Sequence, residues 1–397
     1  MVLVKPLRWE EARECVSRLV GGSSLTPVES VSLECSAGRV LAQDAFADRS
    51  YPPFPRSMRD GYAVHSSDIP GSLRIVGEVR AGKPATRPLE RGECIEIMTG
   101  APAPDGAEAV LMVEHAVRES DSIRTDRSLN PGENISPAGC EALVGDRILE
   151  AGTRLDYAHI AALATVGAGS VSVYRKPRVA ILSTGDEIVN VSDRPAEYQI
   201  RNSNAFSLAA QVQRAGGDVA FSTLAADTVK SLRSALTSGF ENDLVLLSGG
   251  VSAGKYDLVE AVLAEFDAKF FFTRVLIQPG QPAVFGRAKG RFFFGLPGNP
   301  VSTMVTFELF ARLALELISG ERTPRLPLFS ARLSEHFRHK TGLTRFLPAT
   351  LTNEGIAPVR WQGSGDVFAV SRANAFLVAD SDRPSWDAGE HIQVLAR

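Results

Sequence analysis

Apolar residues recur at helical spacing over residues 8–20. Trp9, Ala12, Cys15, Val16 and Leu19 share one face and Gly21-Gly22 closes the run, so the pattern predicts an amphipathic helix. Residues 27–42 read as one strand and a short helix. From about 43 to 140 the period shortens. Alternations such as Leu73, Ile75, Val76 and Val79 are interrupted by Gly and Pro every several residues, which predicts short strands. Residues 141–173 read as a turn, a helix near 156–166 stopped at Gly167, and a strand.

At Pro177 the pattern changes again. VAILST (179–184) is a continuous apolar run closed by Gly185. A helix follows the capping residues Asn202-Ser203-Asn204 and ends at Gly216-Gly217. Then come the strand DVAFSTL, a helix near 228–239, the strand 243–248 closed by Gly249-Gly250, and a helix near 256–265. Strands near 269–277, 282–286 and 291–296 precede a helix over 301–320. Strands that alternate with helices and are apolar throughout predict a parallel sheet covered on both faces. Residues 325–397 return to strand character, with Pro324, Pro327, Gly342, Gly355 and Gly389 as breaks. No internal repeat is visible. The expected organisation is a connector domain (1–42 plus 141–174), a β-rich insert (43–140), an α/β domain (175–323) and a C-terminal β-barrel-like domain (324–397).

Composition narrows the function classes. A chain of 397 residues has room for about two to four domains. With 44% hydrophobic and 22% charged residues it reads as ordinary folded protein. The net charge of −3 lacks the basic excess of a dedicated nucleic-acid binder. Cys15, Cys35, Cys94 and Cys140 form no CxxC pair, which suits a reducing compartment. Lys5, Arg8, Glu10 and Glu11 interrupt any signal-peptide run, and no stretch reaches the roughly 20 apolar residues of a membrane helix. The expectation is a cytoplasmic protein with neither a membrane nor a nucleic-acid partner.

Ligands of open α/β sheets sit beyond the carboxyl ends of the strands. Three such ends carry loops that mix Gly with hydroxyl residues: STGDEIV with Asp186 and Glu187; LLSGGVSAGKYD with Ser248, Gly249, Gly250, Ser252 and Asp257; and GLPGNPVS with Pro297, Gly298, Asn299 and Pro300. Gly admits close approach of backbone N–H groups, and a helix start favours an anion. Asp186, Glu187, Asp227 and Asp257 would repel that anion unless a cation such as Mg²⁺ lay between them. The insert adds the stiff loop YPPFPRSMRDGYAV with Asp60, and Thr99-Gly100 after a short strand. His336 and His339, followed by Lys340, read as a solvated basic turn rather than a metal site. Cys140 has no nearby His to make it a nucleophile.

PPFPRSMRDGYAV, IMTGAPAPDGAEAVLMVE, PGENISPAGCE, STGDEI, IRNSN, LLSGGVSAGKYD, QPGQPAVFG and GLPGNPVS occur in the order of one family. The chain resembles the MoeA family of molybdopterin molybdenumtransferases, which is related to the E domain of gephyrin. The resemblance implies an α/β multi-domain, elongated subunit: a doubly wound, molybdopterin-binding-like core, a β-rich insert or lid, and a C-terminal β domain. It implies a transferase of molybdenum cofactor biosynthesis that inserts molybdenum from molybdate into adenylylated molybdopterin, with release of AMP and help from Mg²⁺. Its implied partners are a second copy, in a homodimer whose active site is shared between subunits, and a molybdopterin adenylyltransferase as substrate donor.

Carried over by position, the resemblance assigns catalytic roles to Asp60, Thr99, Glu187, Asp227 and Asp257, the last three as metal ligands. It assigns substrate binding to Ser248, Gly249, Gly250, Ser252, Arg274, Gln278, Gln281, Pro297, Gly298, Asn299, Pro300, Arg345 and Ser364. Gln278 and Gln281 stand where better-known relatives carry lysines, so an oxyanion there meets hydrogen-bond donors without charge. Two other classes share parts of this pattern: a scaffold of the gephyrin E type, and an adenylyl-handling enzyme sharing only the α/β module. The acids and Thr99 favour chemistry over scaffolding, and the β insert argues against the second.

Overall fold

The structure, a computed structural model, describes residues 5–250 and 256–397, with Tyr256 and Asp257 as backbone only. The chain forms two compact units. The smaller takes in 43–150 and 157–170, the larger 1–42, 151–156 and 171–397.

The larger unit opens with α1 (Trp9–Gly21), which buries Trp9, Ala12, Val16 and Val20. The Arg8 amide donates to Glu11 Oε2 at 2.7 Å and closes the first turn. Its apolar face joins a cluster with Leu313, Ala314 and Leu315, and Trp9 meets Phe346 edge to face at 5.9 Å. That face is the one expected from the spacing.

The largest sheet of the smaller unit has six strands: β1 (Gly61–Val64), β2 (Gly71–Val79), β3 (Glu93–Ile97), β4 (Ala109–Met112), β5 (Val117–Glu119) and β6 (Ser122–Thr125), in the order β4-β1-β3-β2-β6-β5. Only β2 and β3 run parallel. Both faces are covered. Tyr62, Val64, Leu73, Leu111 and Ile123 pack in one cluster, and Ala63, Ile95, Ile97 and Val110 in another. A side chain at Gly61 would sit 1.9 Å from the Leu111 carbonyl oxygen, so this strand start admits only glycine. Cys94 lies in this core, where burial pushes its thiol up to about 12. Helix α2 (Tyr157–Thr165) belongs to the same unit, and its Thr165 carbonyl accepts from the Tyr51 hydroxyl at 2.7 Å.

The larger unit continues with β7 (Arg178–Thr184), α3 (Ser203–Arg214), β8 (Asp218–Ala225), α4 (Val229–Gly239), β9 (Leu244–Ser248), α5 (Tyr256–Ala264), β10 (Lys269–Phe272), β11 (Ile277–Gln278), β12 (Val284–Ala288) and β13 (Arg291–Leu296). The main sheet runs β8-β7-β9-β13-β12-β10. Strands β8, β7, β9 and β13 are parallel, but β12 runs antiparallel to both of its neighbours, β13 and β10, so the sheet is mixed rather than wholly parallel. The cause is local. Lys289 and Gly290 take φ of 47° and 77°, a two-residue turn that can join only antiparallel strands. The expected strand 269–277 also divides. Val275 N bonds Gln281 O at 2.9 Å and Leu276 N bonds Leu7 O at 2.8 Å, which draws the chain out of the sheet.

Helix α6 (Pro300–Thr306) passes through a π turn at Phe307–Ala311 into α7 (Arg312–Ile318), where the sequence predicts one uninterrupted helix. Glu308 and Glu316 are nearly buried beside it. Arg312 holds both, Nε to Glu316 Oε1 at 2.7 Å and Nη1 to Glu308 Oε2 at 3.2 Å. Burial pushes the neighbouring Arg13 guanidinium down to about 10.

The tail adds β14 (Leu328–Arg332), β15 (Thr344–Thr352), β16 (Gly355–Pro358), α8 (Val367–Arg372), β17 (Ala375–Ala379) and β18 (His391–Ala396). Their sheet runs β11-β15-β17-β18-β14, with β16 on β15. Helix α8 falls in a region read as strands only. It is six residues long and held by its cap: Asp366 Oδ1 accepts from Ala369 N at 3.0 Å. His339 departs from the expected solvated turn. It is buried, stacks on Phe337 at 5.9 Å, and its Nε2 lies 2.7 Å from the Arg383 carbonyl. Among the described residues no helix is long and apolar enough to cross a membrane.

Candidate functional site

The carboxyl ends of β7, β9 and β13 meet at one edge of the main sheet. Ser183 pairs with Ser248 across β7 and β9, and Ser248 with Leu296 across β9 and β13. The loops that follow are therefore neighbours. Gly249 N bonds Leu296 O at 3.2 Å. Gly249 has φ of +89°, and a Cβ there would lie 2.5 Å from the Thr184 carbonyl oxygen, so the close passage of the two loops demands glycine. A Cβ on Gly298 would sit 3.6 Å from Gly249 Cα, ordinary contact that brings the third loop against the second.

Asn204 ties these loops together. Its Nδ2 donates to Ser248 Oγ at 2.9 Å and to the Gly298 carbonyl at 2.7 Å. The sequence places Asn204 among cap residues, yet Asn202 does the capping, its Oδ1 accepting from Ala205 N at 3.2 Å. The second Asn, one position into the helix, was the available signal. Asn204 Oδ1 and Thr184 Oγ1 are buried and have no hydrogen-bond partner among the described residues. Buried polar atoms are nearly always satisfied, so these two atoms at one strand edge call for a partner beyond the described residues.

The GLPGNP loop is anchored from both sides. Thr303 Oγ1 donates to the Pro297 and Asn299 carbonyls. Asn299 Nδ2 donates to Ser364 Oγ at 2.9 Å, and Val301 N to Ser364 O at 3.0 Å. Asp366 lies two residues after Ser364. That carboxylate accepts amides from Ala369 and Gln362, which hold it below the usual carboxylate range.

Gln278 faces Arg345 in the β11–β15 register. Ile277 and Ala283 share a core cluster with Val301 and Val305 of α6, which seats this segment against the same helix. Arg274 and Gln278 are exposed, and Arg345 is partly exposed with a buried Nε that has no partner among the described residues. Asp186 Oδ1 accepts from Asp227 N at 3.2 Å, and the Glu187 carboxylate folds over Gly185. Ser252 and the Asp257 side chain lie outside the described residues. Among the described residues no group of three or more His, Cys, Asp and Glu is placed to hold a metal ion. The oxygen donors of Asp186, Glu187 and Asp227 nevertheless suit a hard cation such as Mg²⁺, which keeps much of its shell as water and substrate phosphate.

In the smaller unit, Asp60 and Thr99 meet. Asp60 Oδ1 accepts from Thr99 N at 2.7 Å and from Thr99 Oγ1 at 2.9 Å, and these bonds hold the exposed carboxyl below its ordinary range. Three separate phrases build the support. Gly100 N bonds Ser57 O at 2.8 Å, Met58 N bonds Asn134 O at 2.9 Å, and Asn134 Nδ2 donates to Val110 O at 2.9 Å.

The chain is similar to known proteins over nearly its whole length. Family profiles match as MoeA N-terminal region (domain I and II) over 7–167, probable molybdopterin binding domain over 180–317, and MoeA C-terminal region (domain IV) over 330–396. The molybdopterin molybdenumtransferases of Staphylococcus aureus strain MRSA252 and of Staphylococcus epidermidis are each 31% identical, over 96% of this chain and 94% of theirs. Two crystal structures of the molybdopterin biosynthesis MoeA protein of Pyrococcus horikoshii resemble it. One is 31% identical with a TM-score of 0.74, covering 99% of both chains; the other is 27% identical with 0.80, covering 99% of this chain and 100% of the other.

Proposed function

The chain belongs to the MoeA family, the molybdopterin molybdenumtransferases, and from that premise we propose that it inserts molybdenum from molybdate into adenylylated molybdopterin in the cytoplasm, releasing AMP. The observation that carries this reading is the Asn204 clamp. It fixes Ser248 and Gly298 at one strand edge while leaving Asn204 Oδ1 and Thr184 Oγ1 without partners among the described residues. Backbone N–H groups of Gly250, Gly298 and Asn299 serve the phosphate end of the pterin. Gln278, Gln281, Arg274 and Arg345 hold the oxyanion, with the two glutamines donating hydrogen bonds where lysines would add charge. The dithiolene that takes the metal belongs to the substrate, so no protein cysteine is needed.

Glu187, Asp227 and Asp257 would hold Mg²⁺, with Asp186 beside them. The ion would neutralise charge on the pyrophosphate link. Asp60, kept ionised by Thr99, orients donor groups of the substrate. The finer division into connector (1–42 plus 141–174), insert (43–140), α/β domain (175–323) and tail (324–397) belongs to the same reading, as do a homodimer with its active site shared between subunits and an adenylyltransferase that supplies the substrate.

The deciding experiment is an AMP-release assay on purified protein with adenylylated molybdopterin and Mg²⁺, run with molybdate and with tungstate. Release that depends on the oxyanion supports the proposal. No release from intact substrate refutes it. Sharing of the site is tested separately by mixing Asp60→Ala and Glu187→Ala chains: activity above either parent supports a shared site, and activity no higher than the parents excludes it.

A further inference from the structure

A polar cavity lies where the parallel strands begin, at the opposite edge of the main sheet from the Gly249 and Gly298 loops. Its volume is about 360 Å³, and its lining includes Ser24, Arg175, Asp243, Arg287, Arg291 and Phe292. Arg175 stands just before β7, Asp243 just before β9, and Arg287 and Arg291 flank the tight turn between β12 and β13.

The charges there do not cancel. Asp243 is nearly buried and accepts from Arg175 Nη2 at 2.7 Å and from the Arg178 amide at 2.8 Å, with Arg291 Nη1 at 3.5 Å. One carboxylate thus fixes two guanidinium groups and neutralises one. Arg287 lies over the Phe292 ring at 5.4 Å and makes no ion pair among the described residues. Three cations against one anion leave a charge of two in a concave site. Phe292, 4% exposed, supplies an apolar floor, and the exposed Ser24 supplies a hydroxyl.

We propose that this cavity binds a small phosphate-bearing anion. Planar guanidinium forks match phosphate oxygens two at a time. Arg175 gives Nη1 to the Lys176 carbonyl at 2.6 Å and Nη2 to Asp243, so Arg291, held by Asp243, and Arg287 are the forks left to face the ligand. The shared chemistry is a phosphate dianion, carried either by free phosphate or by a phosphate monoester.

The test is calorimetric titration of the full chain with inorganic phosphate and, separately, with AMP, at low and at physiological salt. The expected result is saturable phosphate binding that weakens with salt and falls at least tenfold in Arg287→Ala. Arg287→Lys should fall between the two, because an ammonium keeps the charge but not the fork. AMP competing with phosphate for the event lost in Arg287→Ala identifies a monoester ligand; phosphate binding without such competition identifies the free ion. Arg287 is exposed and holds no carboxylate, so the variants should keep the wild-type circular dichroism and melting temperature. Absence of saturable phosphate binding, or binding equal in wild type and Arg287→Ala, overturns the proposal.

Discussion

Asp60 and Thr99, 39 residues apart, are joined through one oxygen: Asp60 Oδ1 accepts both the amide and the hydroxyl of Thr99, at 2.7 and 2.9 Å. The second carboxylate oxygen takes no part in this pair, so the contact positions the group without consuming it. Asp60→Ala should lower AMP release by at least a hundredfold with an unchanged melting temperature, since the side chain is exposed. Thr99→Val keeps the amide bond and loses only the hydroxyl, so its loss should be smaller. Equal losses in both variants would show that the hydroxyl, not the carboxylate position, is what matters.

The same pair sets a pH response. A carboxyl group with a lower pKa folded than unfolded stabilises the fold above its unfolded pKa, and this is lost as the pH falls through the folded value. Asp60 and Asp366 are both held below their ordinary value of 3.8. Their contributions are therefore complete above about pH 4 and disappear only below it. Denaturation profiles of wild type and Asp366→Asn should differ at pH 6 and converge as the pH drops below 3.8.

Asn204→Ala removes the donor for Ser248 Oγ and the Gly298 carbonyl in one step. Leaving buried acceptors unpaired costs about 1–3 kcal/mol. Urea denaturation should show that loss, and activity should fall further than stability because two loops lose their common tie. A variant as stable and as active as wild type would remove Asn204 from the site.

Gly249→Val forces a side chain to within 2.5 Å of the Thr184 carbonyl, at a φ of +89°. The backbone strain alone is about 1–3 kcal/mol. The expected outcome is a lower melting temperature together with loss of AMP release.

Arg312→Ala leaves Glu308 and Glu316 nearly buried without their main cation. Removing one partner of a buried ion pair costs about 3–5 kcal/mol. Chemical denaturation should report a change of that size, whereas Arg312→Met together with Glu316→Leu should recover part of it.

Legibility in the sequence followed the range of the interactions. Helix α1 was visible because Trp9, Ala12 and Val16 repeat at a local period and bury the same face. The strands β7 and β9 were visible because a strand covered on both faces is apolar at every position. The break of 269–277 was not, since it depends on Leu7 and Gln281, which a local window does not join. His339 looked solvated beside Lys340, but Phe337, two residues before it, and Trp386, on the strand paired with that segment, enclose it. At the candidate site the Gly-rich loops announced themselves by composition. Asn204 did not, because its partners Ser248 and Gly298 lie 44 and 94 residues away.

The packing of α1 on α7 has a consequence for synthesis. The last residue of α1 is Gly21 and the last of α7 is Ile318, with the smaller unit's residues lying between them in the chain. At ribosomal speeds of about 5–20 residues per second, the apolar face of α1 waits roughly 15–60 s for the surface that covers it. The smaller unit is complete in sequence at residue 170 and can fold within that interval. Helix α1, made before the other described helices, is thus among the last of them to be buried, and a nascent chain stalled before residue 300 presents Trp9, Val16 and Val20 as a sticky stripe for a chaperone to hold.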